Sequence, residues 1–414
     1  MCRFRLQTRR AVFKSFFFVL TVLLTPELLA QDGNNADNEP TARLDEIHAQ
    51  QVKKAVDLRP AKPTAAEKYF ARIGNAIQRS PIRVGVAGLG PGAGITAASL
   101  LEWESPGDQV RAKLWGRSTL DGFYAVGTGV ELPHVGGRDL SFALGSSHSD
   151  APQLNYYGPG PNSSIANRTD FRREDTLFEF RVRFSPRRNL ESSCLVGELL
   201  LNVGPGTNKS LATTQSVFGP AQAPGIDVQS NFLTGGCSAE IDLRDSPRNP
   251  HQGTYAAAGY YRYYAQDHDQ FSFNRLYAVA EHYIPFFNLK RAIAMRARTE
   301  LSFHAEDQVV PFYLQPTLGS DEYLRGFRRY RFYDENSMAL TAEYRWEANA
   351  LFDMVLFFDS GEVFPRPGKF SLSEVAASPG FGLRFKNPRR VFARIDTGFS
   401  KEGFQIWVRT ADFF

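Results

Sequence analysis

The sequence predicts an all-β protein, a transmembrane antiparallel β-barrel of about 12–16 strands with long loops and a short N-terminal helical segment. Three observations predict it. From Ile82 to Phe414, segments of roughly ten to fifteen residues alternate apolar with polar. Phe178-Glu179-Phe180-Arg181-Val182-Arg183-Phe184 is a plain period-2 run, and Ile293, Met295, Ala297 and Thr299 alternate with Ala294, Arg296, Arg298 and Glu300. One face carries large aromatic residues and the other carries charges, as a wall between lipid and a wet lumen requires. The connections also fall into two length classes, tight turns such as 185–189, 285–290 and 387–390 and loops of about thirty residues at 204–236 and 306–336. Finally, the chain ends on a strand. Phe404, Ile406, Val408, Thr410 and Asp412 share one face, Gln405, Trp407, Arg409 and Ala411 the other, and Phe414 is terminal.

Residues 1–30 read as a signal peptide. Arg3, Arg5, Arg9, Arg10 and Lys14 form a basic start, and residues 15–24 form an apolar core. At about ten residues, that core is too short to span a bilayer, which takes ~20. Cleavage is expected after Ala30. Removing five of 48 basic and one of 44 acidic residues leaves a neutral chain, so no nucleic-acid partner is implied. Residues 31–80 are a periplasmic N-terminal segment, partly disordered, with a short helix. Positions 65–77 (Tyr69, Phe70, Ile73, Ile77) have amphipathic helical spacing. A small periplasmic helix is expected there, with a lumen plug as the alternative. The barrel occupies 81–414.

Strands are expected over 82–104, 109–132, 137–149, 172–186, 190–203, 236–247, 253–266, 269–285, 290–305, 337–348, 352–364, 378–387, 390–399 and 403–414. The stretch 82–132 has room for two more. An aromatic content of 13% excludes a disordered chain. Three cysteines exclude a disulfide scaffold or multi-thiolate zinc module, and the seven scattered histidines offer no ligand pair, so neither metal nor cofactor is expected. Cys2 leaves with the signal peptide. Cys194 follows a short turn and Cys237 a long loop. They are therefore expected at opposite ends of their strands, beyond the ~7 Å reach of a disulfide, as two free thiols.

The loop segment 321–334 reads DEYLRGFRRYRFYD. Its Leu324-Arg325-Gly326-Phe327 resembles the loop tetrapeptide of the bacterial surface antigen family, which holds the BamA/TamA-type barrel-assembly factors and the two-partner-secretion transporters. Further motifs follow in the family's order. Phe357-Phe358-Asp359-Ser360-Gly361 resembles its Phe-x-Asp-x-Gly strand. Glu343 stands at the acidic position of the strand between. Gly380-Phe381-Gly382-Leu383-Arg384-Phe385 is similar to its next strand. Upstream, Asp242-x-Arg244-Asp245, Pro250 and Gly253 resemble its turn, and Tyr156-Tyr157-Gly158-Pro159-Gly160 its Tyr-Tyr-Gly-x-Gly loop. The terminal strand, with Phe404, Ile406, Val408 and Phe414, resembles the C-terminal signal through which the cell's barrel-assembly machinery inserts outer-membrane proteins. The resemblance spans roughly 150–414. Family members carry periplasmic POTRA domains, but only about fifty residues separate Ala30 from the first strand here, so the chain resembles a POTRA-less branch.

The resemblance implies that the loop tucks into the lumen, with Arg325 held by Asp359 and Glu343. A buried guanidinium needs carboxylate partners, and its fork can meet one with two hydrogen bonds. Gly326 permits a sharp turn at the wall, and Phe327 anchors on the inner surface. The implied role is non-enzymatic: an integral bacterial outer-membrane barrel that assists insertion or translocation of client membrane proteins, in contact with outer-membrane lipid. Two alternatives stand beside it. One is a passive pore with loop 306–336 as constriction and Arg325, Arg328 and Arg329 setting anion preference. The other is a lipid hydrolase using Ser149 and His148 from Ser146-Ser147-His148-Ser149-Asp150.

Overall fold

The computed structural model describes residues 82–87, 96–137, 139–286, 290–349, 351–387 and 390–410. The signal peptide, the segment 31–80 and its helix, and Phe414 lie outside the described residues. The strands are β1 (Ile82–Ala87), β2 (Thr96–Glu104), β3 (Arg111–Thr119), β4 (Tyr124–Leu132), β5 (Leu140–Tyr156), β6 (Thr169–Arg187), β7 (Leu190–Pro205), β8 (Ala212–Thr213), β9 (Phe232–Asp242), β10 (Gly253–Ala265), β11 (Phe273–Phe286), β12 (Arg291–Phe303), β13 (Thr317–Leu318), β14 (Phe332–Tyr333), β15 (Asn336–Glu347), β16 (Phe352–Phe364), β17 (Ala376–Asn387), β18 (Arg390–Ser400) and β19 (Gly403–Thr410). β8, β13 and β14 are two-residue pieces inside long outer connections. The other sixteen form one antiparallel ladder in which each strand pairs with its neighbour along the chain.

Sixteen stands at the upper end of the 12–16 expected, and the two strands beyond the fourteen marked arise in 82–132, where room for them was expected. β1 to β4 are only six to nine residues long. Between β3 and β4 the chain reverses in four residues, where Gly122 takes a positive φ of 82° that other residues rarely adopt. β5, β6 and β7, by contrast, run 17, 19 and 16 residues and rise beyond the others at the long-loop end. The long connections 157–168, 206–231, 304–335 and 365–375 all leave from that end. The opposite end has tight turns such as 188–189 and 348–351.

Period-2 alternation sorts the side chains. On β6, Phe178, Phe180 and Phe184 point outward and stay exposed. Glu179, Arg181 and Arg183 point inward and pair, Arg181 with Glu179 at 3.0 Å and Arg183 with Glu191 at 2.8 Å. On β16, Leu356 and Phe358 face out while Val355, Phe357 and Asp359 are buried. No helix among the described residues is long and apolar enough to cross a membrane.

The ladder curls around its own loops. β6 and β19 are ten pairings apart, about 48 Å along a flat sheet at ~4.8 Å per strand. Yet one side chain, Arg331, donates to Ser163 just before β6 (2.8 Å) and to Glu402 just before β19 (2.8 Å). Where β5–β7 rise, the outer loops pack an aromatic cap. Tyr156, Phe171, Phe218, Phe232, Phe273, Phe312, Tyr313 and Tyr333 form one buried cluster. Tyr156 meets Phe218, Phe312 and Tyr333 edge to face at 4.9–5.1 Å, the arrangement that ring quadrupoles favour.

The two thiols are not free. Cys194 faces Cys237 directly in the β7–β9 register, with Cα atoms 4.0 Å apart, and the two form a disulfide. The expectation placed each cysteine by the connection it follows. In an antiparallel pair what matters is the distance to the shared end. Near that end Leu190 faces Ile241, and each cysteine lies four residues further in.

Candidate functional site: the lumenal loop and its buried anchors

The connection 304–335 enters the lumen, and its tip, 321–331, carries most of the buried polar chemistry. Leu324 is fully buried with φ of +55°, an unusual conformation for a bulky residue, held by its surroundings. It turns the chain so that Arg325 follows aimed at the wall. Arg325 is 2% exposed. Its Nε and Nη2 donate to both oxygens of Asp359 at 2.9 and 2.8 Å, and its backbone N–H donates to Asp359 Oδ2 at 3.0 Å. Its Nη1 donates to Glu343 Oε1 at 2.7 Å. The guanidinium lies over the Phe357 ring, 3.5 Å from the centroid.

The network extends beyond these residues. Glu343 also accepts from Arg345 (2.7 Å) and Arg384 (3.3 Å), and Arg384 donates to Asp396 at 2.6 Å. Thr341 donates to Asp359 at 3.0 Å. Arg325, Arg345 and Arg384 thus face Asp359, Glu343 and Asp396, charge for charge. Three guanidinium groups balanced by three carboxylates, each held by charge-assisted hydrogen bonds, can occupy a buried site that no single ion could.

The backbone of the tip is held as firmly. Gly326 N–H donates to Ser378 Oγ at 2.5 Å, and Gly326 O accepts from Ser400 Oγ at 2.8 Å. Trp407 Nε1 donates to Arg325 O at 2.6 Å. Phe327 is buried against Phe332, with ring centroids 5.2 Å apart, in a cluster with Leu318, Leu324 and Val363. Asp321 pairs with Arg394 and Arg409 at 3.2 Å each. These anchors lie on five consecutive strands, β15 to β19.

The glycines of the strand motifs make this approach possible. A Cβ on Gly380 would fall on the Phe357 ring and the Thr397 carbonyl, so the ring under Arg325 needs that hydrogen atom. Gly382 lies against Asp396, and Gly361 beside Leu318 and β15. The upstream motif forms an inner turn. Arg244 pairs with Asp242 (2.7 Å) and Glu281 (3.0 Å) and covers the Tyr255 ring. Tyr157 lies under the Arg331 guanidinium, and Gly160 N–H donates to Tyr333 O at 2.7 Å. On the terminal strand, Phe404, Ile406 and Val408 form an exposed outward row.

Ser378, Asp396, Gly398 and Ser400 also build the site without being singled out in the sequence, as do Arg384 and Trp407, which the sequence placed in strand patterns but not among the loop's anchors. One signal was available: Asp396 and Arg394 break an otherwise apolar strand at inward positions. The arginines of the pore reading fare differently. Arg325 is consumed by the network, and Arg329 stacks over Trp407 at 4.8 Å, while Arg328 is exposed. Ser149 and His148 point to opposite faces. Ser149 donates to lumenal Asp175 at 2.8 Å, and His148 meets Thr176 (2.8 Å) and Tyr124 (3.3 Å) outside, so they form no nucleophile–base pair.

Two groups at the root of the loop make its docking pH-dependent. Burial, with Glu335 and Glu362 nearby, pushes the Asp334 carboxyl up to about 7. The hydrogen bond from His304 to Glu335 (2.8 Å) raises the imidazole above its usual value. Between pH ~4 and ~7 the folded state binds more protons at Asp334 than the unfolded chain does, so stability falls as pH rises. The His304 contribution is full below pH ~6.5 and is lost as pH climbs through the higher folded value. Both act in one direction. Heat-resistant gel migration should therefore persist to higher temperature at pH 5.5 than at pH 8, and Asp334→Asn should raise the pH 8 value and narrow the gap. Identical transitions at both pH values would refute this.

The profile of the Omp85 superfamily domain matches residues 162–404. Among solved structures, the chain is similar to BamA from Haemophilus ducreyi lacking POTRA domains 1–3. The TM-score is 0.62 at 15% identity, over 80% of this chain and 70% of that one. It is also similar to CdiB from Escherichia coli, with a TM-score of 0.50 at 12% identity over 81% of this chain and 68% of that one. No curated protein sequence matches the chain.

Proposed function

Since the chain belongs to the Omp85 superfamily, we propose that this outer-membrane barrel assists the insertion or translocation of client membrane proteins, and that it does so by deforming its wall without covalent chemistry. The observation that carries this reading is the concentration of the loop tip's anchors on β15–β19, with Arg331 also reaching Ser163 before β6. Asp321, Arg325, Gly326 and Arg331 tie β15–β19 and the β18–β19 turn into one block through buried charge and backbone bonds. At the other end of the ladder β1 to β4 run only six to nine residues, and short ladders cost least to separate. A wall with one rigid margin and one compliant margin can part and reseal beside a client strand. The carboxylates Asp359 and Glu343 serve as loop anchors in this reading. The outward row Phe404, Ile406 and Val408 meets lipid and presents the last strand to the cell's own assembly machinery, and residues 1–30 direct export and are cleaved.

A passive pore fits less well. The aromatic cap packs the outer end, and Arg325 is fully neutralised by its carboxylates. The test is the folding rate of a second, unrelated outer-membrane barrel into liposomes, with and without this protein reconstituted. An acceleration of several-fold is expected, and it should be lost in Arg325→Ala. No acceleration, together with a large steady single-channel conductance, would replace the proposal with the pore.

A further inference from the structure

The Cys194–Cys237 bond sits where water-borne chemistry cannot reach it in the assembled wall. Both cysteines occupy exposed positions on the outward face. They alternate with Val196 and Leu233, which are 57% and 46% exposed on the same face. Along the row they lie between Val182 on β6 and Tyr260 on β10. On the inner side of the ladder Ser193 pairs with Ser238 and Leu195 with Gly236. The sulfurs therefore project toward the hydrocarbon and away from the lumen.

Thiol–disulfide exchange proceeds by attack of a thiolate, and an unpaired anion does not enter hydrocarbon. The bond can be neither made nor broken by an aqueous partner once the wall is in the bilayer. The register it fixes also needs fixing. β7 and β9 are joined by 26 intervening residues (206–231), so no tight turn sets their alignment. Gly197, Gly235 and Gly236 offer no side chain to pair across the same stretch of ladder. A one-residue slip would turn every side chain of β9 to the wrong face.

We infer that Cys194 and Cys237 are a modification site for a periplasmic thiol oxidant, acting on the β7–β9 pair before membrane insertion, and that lipid then seals the bond. The two thiols lose two protons and two electrons to the disulfide of the oxidant. Cys194 and Cys237 end joined, and the oxidant leaves as a dithiol. Exchange passes through a mixed disulfide between one cysteine and the oxidant, which the second cysteine resolves.

Two experiments test this. Full-length protein folded into phosphatidylcholine vesicles is treated with a charged, membrane-impermeant phosphine, then denatured and labelled with a polyethylene-glycol maleimide. Reduction at least ~100-fold slower than for the same protein in urea is expected from exclusion of charged reagents. Equal rates, or free thiols in the isolated protein, would overturn the inference. In cells depleted of barrel-assembly activity, pulse-labelled chain awaiting insertion should already carry the bond. Chain that stays reduced until it is inserted would overturn the order of events. Cys194→Ser keeps the facing claim testable without the bond. Its Cys237 should stay unlabelled by a charged maleimide while the barrel is in vesicles and become labelled once the protein is unfolded in urea, and equal labelling in both states would refute the lipid-facing placement.

Discussion

Arg325→Ala is expected to abolish heat-resistant gel migration of the folded barrel at temperatures that the parent protein survives. The guanidinium bonds both Asp359 and Glu343 to the loop, and removing it leaves Asp359 to Thr341 and a backbone N–H and leaves Glu343 Oε1 to the longer bond from Arg384, around a cavity that the cation had filled. Breaking one side of a buried pair costs about 3–5 kcal/mol, a factor of roughly 10²–10³ or more in the folded population. Arg325→Lys should recover little, because an ammonium cannot fork two bonds to one carboxylate. Asp359→Asn should be milder than Asp359→Ala, since the amide oxygen still accepts from Arg325 while the cavity stays filled. If Arg325→Ala and Asp359→Ala both migrate like the parent after heating, the buried pair does not hold the loop.

Gly398→Val should disrupt docking of the loop tip while sparing the wall. A Cβ at Gly398 would occupy the space of the Arg325 carbonyl carbon and the Gly326 nitrogen. Both are backbone atoms pinned by Trp407 and Ser378, so neither side can yield cheaply. Overpacking of this kind costs typically 1–3 kcal/mol and here falls on the same contacts as Arg325→Ala. The two changes should therefore be non-additive. Protease cleavage after Arg328 or Arg329, from the outside of intact cells, reads the displaced loop directly. A Gly398→Val barrel whose loop stays uncut and whose heat resistance is unchanged would show that the tip does not sit against β18.

Much of this molecule was legible in the chain because alternation is local. Which face Phe178 or Glu179 takes depends on the pleat of their own strand, and the motif residues Arg325, Glu343 and Asp359 needed only opposite charge and a loop long enough to reach. Short strands were harder. β1–β4 carry so few residues each that two turns inside 82–132 looked like interruptions of longer strands. The remaining anchors were hidden for another reason. Ser378, Ser400 and Trp407 are ordinary strand residues until a loop more than fifty positions away is laid against them.

The cysteines mark the boundary most sharply. Composition, periodicity and turn chemistry by themselves determined an outer-membrane-type barrel with long charged loops at one end, since these follow from each residue's own neighbours and from what lipid and water accept, while the return of loop 306–336 to the lumen was implied by the resemblance of its motif. The tertiary structure alone decided that Cys194 meets Cys237, that Asp396 completes the charge balance beneath Arg325, and that Arg331 joins the two sides of the wall. Register across a 26-residue connection costs little more to close in one alignment than in another. Only the packing of both faces of the ladder, and the curl that brings its ends around one loop, selects among the alignments.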